Sequence, residues 1–182
     1  MENLELSEFN DRNSKEIVDL FYKTFSDSEG ENEGKLISVL ASNFINKTSR
    51  DNLYIFIARV DKIIVGAIIF SRIKFEKRNI NAFLLAPVAI HSSYQGKGIG
   101  QKLIEFGHKI LKKNDVELVF TYGDINFYSK IGYKLISEQM IKAPQKLSYP
   151  EGWLGQSFKD NEIQPIDGKL YCEDVISNQE YW

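Results

Sequence analysis

Apolar and polar residues repeat along the chain in two different periods, and the change of period predicts the order of the elements. Residues 4–9 (LELSEF) alternate like a strand, and the segment that follows places Ile17 and Leu20 at helical spacing. A second helical pattern covers residues 36–44. Between the two helices lies the acidic, glycine-bearing stretch SDSEGENEGK, residues 26–35, which predicts a mobile loop and a candidate lid.

Runs of β-branched and aromatic residues dominate the middle of the chain. Residues 53–60 (LYIFIARV) and 63–72 (IIVGAIIFSR) flank a two-residue turn, which predicts an antiparallel hairpin. Residues 79–91 (NINAFLLAPVAIH) then predict a long apolar strand that contains Pro87. Because proline cannot donate a ladder hydrogen bond, we expect the pairing on one side of this strand to open near Pro87.

A helix and further strands are predicted after the proline-containing strand. Residues 97–113 carry apolar side chains on one face and lysines on the other, and VELVFTYG, residues 116–123, is typical of a buried strand. A strand, a helix and a strand in this order predict a parallel pair with a right-handed crossover. A short helix over residues 126–132 and a strand over residues 133–138 follow. The fold class predicted is mixed α/β, with an antiparallel sheet that includes one parallel pair.

The C-terminal part of the chain shows one strand pattern. Residues 168–176 (GKLYCEDVI) predict a final strand that closes the sheet. We therefore interpret residues 1–142 as the main part of one domain, and residues 143–182 as an extension that completes its sheet.

Composition and charge narrow the class of protein. Hydrophobic residues make up 43% of the 182 residues and charged residues 26%, as in a globular domain. The net charge of −2 and the pI near 5.8 argue against nucleic-acid binding, which needs a cationic face. The single Cys172 cannot form an internal disulfide, and the sequence shows neither a signal peptide nor a membrane-spanning run. These features predict a protein of the cytoplasm with no membrane partner.

The stretch SSYQGKGIGQKLIEF places three glycines, Gly96, Gly98 and Gly100, at alternate positions before an amphipathic helix. The first amides of a helix have no intrahelical acceptor and carry partial positive charge, so they bind anions. Glycines allow a phosphate to approach these amides closely, and Lys97 and Lys102 add positive charge. The pattern therefore predicts a phosphorylated ligand.

Two common phosphate-binding motifs are excluded by single residues in this turn. The P-loop needs a serine or threonine after its Gly-Lys pair, and here Gly98 follows Lys97. The dinucleotide fingerprint needs a glycine where this chain has Gln101. The remaining alternative is that the glycines only permit close packing of the helix on the sheet.

The residues of this turn resemble a family motif. Gln95, Gly98 and Gly100 fit the Q/R-x-x-G-x-G/A pyrophosphate motif of the GNAT superfamily of N-acetyltransferases. The preceding residues, PVAIHSSY, are similar to the end of the strand that comes before this motif in the family. Downstream, GDINFYSKIGYKL resembles a segment of the YhbS-like branch. The resemblance is tight from Leu84 to Ile136, and the order of elements agrees from residue 4 onward.

The resemblance implies a GNAT fold and an N-acetyltransferase that uses acetyl-CoA as co-substrate and no metal. The strand that contains Pro87 would splay from its parallel neighbour, and the pantetheine chain would bind the backbone that this frees. The coenzyme-binding residues that it implies are Val88, Ala89, Ile90, Gln95, Gly96, Lys97, Gly98, Ile99, Gly100, Gln101, Asn126 and Lys130.

The resemblance also implies the chemistry. A primary amine attacks the thioester carbonyl directly in a ternary complex, without a covalent intermediate on the protein, and Tyr128 occupies the family's general-acid position. The general base is unassigned. Asp124 and the loop acids Glu29, Glu31 and Glu33 are candidates for it, or for attracting a cationic substrate.

Several other residues are interpreted as structural. His91 and His108 have no cysteine or histidine at metal-ligand spacing, so no metal site is predicted. We expect Cys172 to belong to the core of the last strand, and Trp153 and Trp182 to cover the acceptor side or a dimer interface.

The expected acceptor is an amine-bearing small molecule or a protein amino group, and the expected assembly is a monomer or a homodimer. Two alternatives remain open. The first is a catalytically inactive regulatory module that binds acyl-CoA. The second is an acyltransferase that acts on aminoacyl-tRNA. The net charge of −2 disfavours this alternative, because RNA binding needs a cationic surface.

Overall fold

The structure is a computed structural model that describes residues 3–182. Within these residues the chain forms eight strands and four α-helices. In chain order they are β1 (Leu4–Glu8), α1 (Ser14–Glu29), α2 (Glu31–Lys47), β2 (Leu53–Val60), β3 (Ile63–Phe75), β4 (Ala82–Ile90), α3 (Ile99–Lys113), β5 (Leu118–Tyr122), α4 (Ile125–Tyr128), β6 (Lys134–Leu135), β7 (Trp153–Ser157) and β8 (Leu170–Tyr171).

The strands form a mixed sheet with the order β1-β2-β3-β4-β5-β7-β6, and β8 pairs separately with β3. The β4–β5 pair is parallel, whereas β1–β2, β5–β7, β6–β7 and β3–β8 are antiparallel. The predicted fold class is therefore confirmed, and so is the parallel pair around the crossover helix α3. The chain divides into two compact units.

The first unit comprises residues 3–70 and 87–108. Helix α1 packs against α2, and the interior side chains of these helices, such as Ile17, Phe21 and Phe44, are fully buried. Phe56 of β2 meets Phe70 of β3 edge to face at a centroid distance of 6.0 Å. Burial of these large side chains gives the unit a core of its own.

The prediction of a mobile acidic loop over residues 26–35 is wrong. Helix α1 continues to Glu29 and α2 begins at Glu31, so only Gly30 separates the helices. Gly30 has a φ of +100°, which turns the chain at little steric cost. Glu31 and Glu33 occupy the first turn of α2, where negative charge is favourable, and Glu31 pairs with Lys35 one turn later.

The second unit comprises residues 71–86 and 109–182. Strand β5 pairs with β4 on one side and with β7 on the other. Strand β7 was not predicted, because WLGQS is short, carries a glycine and lacks clear alternation. The predicted closing strand over residues 168–176 is largely wrong, since only Leu170–Tyr171 forms a strand, which pairs with Lys74 and Phe75 of β3. The predicted division after residue 142 stays a prediction.

Both tryptophans lie in the interior of the second unit. Trp153 is 0% exposed and stacks on Phe120 at 5.3 Å, and Trp182 is 5% exposed. Their indole nitrogens donate to the backbone oxygens of Ile141 and Ile176, respectively. The expectation that they cover the acceptor side or a dimer interface is wrong, because both are core residues with satisfied hydrogen bonds.

Candidate active site

The turn between β4 and α3 is open at its glycines. Gly96 and Gly98 have φ values of +72° and +75°, a region that side-chain-bearing residues rarely adopt. A Cβ atom added at either position would meet nothing within 4 Å. The packing alternative therefore does not explain these two residues, since no neighbouring protein atom excludes a side chain there. Gly100 differs, because it is buried in the first turn of α3.

The backbone amides of this turn are available for a ligand. In the described part of the chain we find no hydrogen-bond acceptor for the amides of residues 96–101, and the first helical bond runs from the Lys102 amide to the Gly98 oxygen at 3.2 Å. These amides open α3, a helix of 15 residues, whose dipole favours an anion at this end. The turn thus has the donors and the polarity of a phosphate site.

Side chains next to the turn hold it in place. The Gln95 Nε2 donates to the Ile90 oxygen at 2.9 Å and so ties the turn to the end of β4. Lys97 folds back on the turn, where its Nζ donates to the Ser93 oxygen at 2.9 Å and lies 4.9 Å from the centre of the Tyr94 ring. The positive charge of Lys97 therefore stays beside the glycines.

The parallel pairing of β4 and β5 stops before the end of β4. The register runs from Ala82 opposite Leu118 to Leu85 opposite Thr121, whereas β4 continues to Ile90. The predicted opening near Pro87 is confirmed by this register. The segment Val88–Ile90, which was predicted to bind the coenzyme, lies beyond the part of β4 that pairs with β5.

Tyr128 ends α4 and is 9% exposed. Its side chain shares a hydrogen bond with Thr121, and the Thr121 hydroxyl donates to the Leu85 oxygen at 2.8 Å. Burial raises the pKa of Tyr128, and the hydrogen bond with Thr121 lowers it by a smaller amount. The phenol therefore carries its proton at neutral pH, as a general acid must.

A neighbouring tyrosine makes the second unit sensitive to alkali. Tyr133 lies 5.6 Å from Tyr128 between ring centres, and burial raises its pKa well above the usual value. Above about pH 10 the unfolded chain loses phenol protons that the folded chain keeps. The unfolded state then binds fewer protons, so the free energy of unfolding falls as the pH rises.

We therefore expect the midpoint of urea unfolding to decrease between about pH 9 and pH 11, and the decrease to be smaller in Tyr133→Phe. The matched control is Tyr149→Phe, since Tyr149 is 68% exposed and its removal should leave the slope unchanged. An equal slope in wild type and Tyr133→Phe would contradict the assignment.

The other candidates near α4 form a local cap. The Asp124 carboxylate accepts hydrogen bonds from the backbone and side-chain nitrogens of Asn126, both at 2.9 Å, and so caps the helix. Lys130 is exposed. The coenzyme contacts of Asn126 and Lys130 and the base role of Asp124 stay predictions, as does any base role for the acids beside Gly30.

The histidines and the cysteine occupy separate environments. His91 caps the short turn before the glycines, its Nδ1 accepting from the Ser93 amide, and His108 is buried beside Phe70. Over residues 3–182 we find no cluster of His, Cys, Asp or Glu side chains suited to a metal ion. Cys172 is half-buried just after β8, and burial raises the pKa of its thiol to about 11, which disfavours the reactive thiolate.

Comparisons with known proteins agree with this geometry. Residues 51–135 match the family model described as an acetyltransferase (GNAT) domain. The chain is 28% identical over 145 residues to the uncharacterized N-acetyltransferase YjhQ of Escherichia coli K12. This alignment covers 77% of this chain and 79% of YjhQ. Residues 51–135 of this chain are therefore identified as a GNAT acetyltransferase domain.

Solved GNAT structures share the fold. YhbS from Escherichia coli, crystallised with CoA, aligns with a TM-score of 0.76 at 18% identity, over 97% of this chain and 93% of that one. A GNAT acetyltransferase from Brucella melitensis, crystallised with acetyl-CoA, aligns with a TM-score of 0.71 at 19% identity, over 97% and 99%. Such likenesses establish the fold of this chain. The glycine turn, Thr121 and Tyr128 all lie within the residues that match the family model.

Two features near the glycine turn and Tyr128 were not predicted from the sequence. Thr121 was not singled out, although a hydroxyl within the apolar run of β5 is the kind of buried polar residue that signals a specific partner. The hydrogen bond from Ser92 to Asp27, at 2.6 Å, joins the end of α1 to the turn and has no sequence signal.

None of the helices in the described range combines the length and apolar composition of a membrane span.

Proposed function

We propose that this protein transfers an acetyl group from acetyl-CoA to a primary amine. The observation that carries the proposal is the run of available amides at residues 96–101, in a turn whose glycines face open space and which lies inside the matched GNAT domain. Several amides that bind a charged oxygen at about 1.5–3 kcal/mol each would hold a diphosphate firmly. Bound CoA in YhbS and acetyl-CoA in the Brucella protein support the same ligand class.

Each predicted coenzyme residue has a role in this proposal. The amides of Gly96, Lys97 and Gly98 in the turn, and those of Ile99, Gly100 and Gln101 at the start of α3, would bind the diphosphate. Gln95 would hold the turn in place through its side chain. The part of β4 beyond its pairing with β5, with Val88, Ala89 and Ile90, would offer backbone groups to the pantetheine chain. Asn126 and Lys130 would contact the pantetheine and phosphate regions, respectively.

The reaction proposed is a direct transfer. The lone pair of a neutral amine forms a bond to the thioester carbonyl carbon, and a backbone N–H of β4 would stabilise the oxyanion. The carbon–sulfur bond then breaks, the sulfur leaves with its electron pair and takes the proton of Tyr128, and the amine proton passes to a base. The products are an amide and free CoA, and holding both substrates together would supply much of the rate.

The acceptor is proposed as an amine-bearing small molecule or a protein amino group. Among structures with this fold is an aminoglycoside 6'-N-acetyltransferase, which supports a small-molecule amine as one possibility. The chain has a single cysteine and no disulfide, consistent with the reducing cytoplasm, where we place the activity. We propose a monomer or a homodimer.

The test is a thiol-release assay with acetyl-CoA and a panel of amines, alongside calorimetry with CoA. We expect saturable CoA binding and release of free thiol with at least one class of amine. CoA binding without turnover for any small-molecule, peptide or aminoacyl-tRNA acceptor would favour a regulatory acyl-CoA-binding module. Absence of CoA binding to folded protein at millimolar concentration would contradict the proposal altogether.

A further inference from the structure

The ring of Tyr128 lies against the backbone that follows β5. Strand β5 ends at Tyr122, and Gly123 comes next in the chain. A Cβ atom added to Gly123 would lie 2.7 Å from the Tyr128 Cε2, closer than Cβ atoms approach other atoms in proteins. A residue with a side chain therefore fits at position 123 only if the ring of Tyr128 moves.

The surroundings of the Tyr128 ring oppose such a movement. Phe127 and Tyr133 meet this ring edge to face, at centroid distances of 4.9 and 5.6 Å. The Tyr128 backbone oxygen accepts a hydrogen bond from the Tyr133 amide at 3.2 Å, and the Gly123 amide donates to the Gly152 oxygen at 2.9 Å. Because close-packed neighbours yield only at a cost, a methyl group at residue 123 would displace the phenol from its present position.

The hydroxyl of Thr121 anchors the polar end of the Tyr128 side chain. Thr121 is fully buried, and its one hydroxyl proton goes to the Leu85 oxygen at 2.8 Å. The Thr121 oxygen keeps its lone pairs, so in the hydrogen bond between the two side chains the neutral phenol of Tyr128 is the donor. Leu85 and Thr121 are also the last opposed residues of the parallel pair. The phenol is therefore anchored where the pairing of β4 with β5 ends.

The same hydroxyl can respond to a change of charge on Tyr128. In the proposed transfer the O–H bond of Tyr128 breaks, an S–H bond forms on the leaving sulfur, and a phenolate remains. A phenolate has no proton to donate and is stabilised by donors instead. The Thr121 hydroxyl can turn its proton from the Leu85 oxygen to the phenolate without giving the proton up. In agreement, burial raises the pKa of Tyr128, and the hydrogen bond with Thr121 lowers it by a smaller amount.

We propose that Thr121 and Gly123 are positioning residues for the general acid. Gly123 leaves room for the Tyr128 ring, and Thr121 directs its hydroxyl and stabilises the phenolate. Neither residue touches a substrate in this role, because both act through Tyr128. The role rests on the proposed acetyl transfer, since it matters only when Tyr128 gives up its proton.

The kinetic test combines single and double substitutions. Thr121→Val removes the hydroxyl and keeps the shape of the side chain. It should lower kcat about threefold to tenfold and change the KM for acetyl-CoA less than about twofold, and Thr121→Ser should restore kcat. Gly123→Ala should lower kcat about fivefold or more. In a Tyr128→Phe background each substitution should cost less than about twofold, because the hydroxyl that it positions is absent. Equal fold losses in both backgrounds would indicate a structural role only and overturn the proposal.

The chain offers a matched control for each substitution. Gly152→Ala places a Cβ atom 2.9 Å from the ring of Tyr122, which has no role in the proposed reaction. Thr48→Val removes a buried hydroxyl that has no hydrogen-bond partner in the described part of the chain. Both should keep kcat within about twofold of wild type, and thermal unfolding compares the stabilities. If Gly123→Ala does not fold, Thr121→Val and Thr121→Ser decide the question.

A spectrum of protein labelled with ¹³Cζ tyrosine tests the positioning without turnover. The Tyr128 signal is the one that Tyr128→Phe lacks. We expect this signal to shift in Thr121→Val and in Gly123→Ala and to stay in place in Thr48→Val. An unchanged Tyr128 signal in the first two variants would overturn the proposal. If the wild type binds CoA but acetylates no amine, the proposed function fails, and this spectrum alone decides whether Thr121 and Gly123 position the phenol.

Discussion

Replacing Gly98 by alanine is expected to weaken CoA binding by between about tenfold and a hundredfold. Gly98 has a φ of +75°, and an alanine held there is strained by about 1–2 kcal/mol. Relaxing the strain would rotate the turn and misdirect the amides that we propose to bind the diphosphate. Loss of a single charged hydrogen bond, worth about 1.5–3 kcal/mol, accounts for a factor of this size.

The control for this substitution lies elsewhere in the same chain. Gly30 also has positive φ, and an added Cβ there would likewise meet nothing within 4 Å. Gly30→Ala therefore also imposes backbone strain, at the junction of α1 and α2 and away from the turn. Calorimetry with CoA, together with thermal unfolding of both variants, makes the comparison. A loss of stability in both variants with CoA affinity reduced only in Gly98→Ala would support the proposed phosphate-binding role of the turn, and equal CoA affinity in both would contradict it.

Tyr128→Phe is expected to lower kcat by between about tenfold and a hundredfold while changing the KM for acetyl-CoA less than about twofold. The phenol is buried and protonated, so it can give its proton to the leaving sulfur. A thiol with a pKa near about 8.5 is a fair leaving group without help, which keeps the effect at the low end for general acid catalysis. Phenylalanine also preserves the fold, because Thr121 still donates to Leu85.

Tyr133→Phe is the matched control for this prediction. Tyr133 is a second buried tyrosine, 5.6 Å from Tyr128 between ring centres, and the reaction proposed gives it no role. Steady-state kinetics with saturating amine should show a kcat within about twofold of wild type for Tyr133→Phe. An unchanged kcat in Tyr128→Phe, or equal losses in the two variants, would remove Tyr128 from the mechanism.

The main elements of the sheet could be predicted from the sequence because their signals are local. Alternation marked β1, β-branched runs marked β2 and β3, and the order strand–helix–strand gave the parallel pair β4–β5. Pro87 predicted the opening of that pair, since a missing N–H is a property of one residue. The glycine turn was equally local, and with Gln95 it pointed to the family.

Predictions failed where the outcome depended on neighbours distant in sequence. The acidic stretch around Gly30 looked like a loop, yet packing of α1 on α2 keeps it helical up to the glycine itself. Strand β7 is held by β5 and β6 on its two sides, and its own five residues carry little strand signal. Trp153 and Trp182 lie in the core, where their indole nitrogens donate to the backbone oxygens of Ile141 and Ile176. No local sequence pattern predicts these two acceptors.

The sequence by itself determined the resemblance to GNAT acetyltransferases, the fold class and the residues of the glycine turn, because each follows from residue type at fixed short spacing. Only the tertiary structure decided that the Gly96 and Gly98 positions face open space and that Thr121 joins Tyr128 to the Leu85 oxygen. The physical reason is that hydrogen-bond satisfaction and free volume belong to groups brought together by folding, and short-range patterns do not encode them.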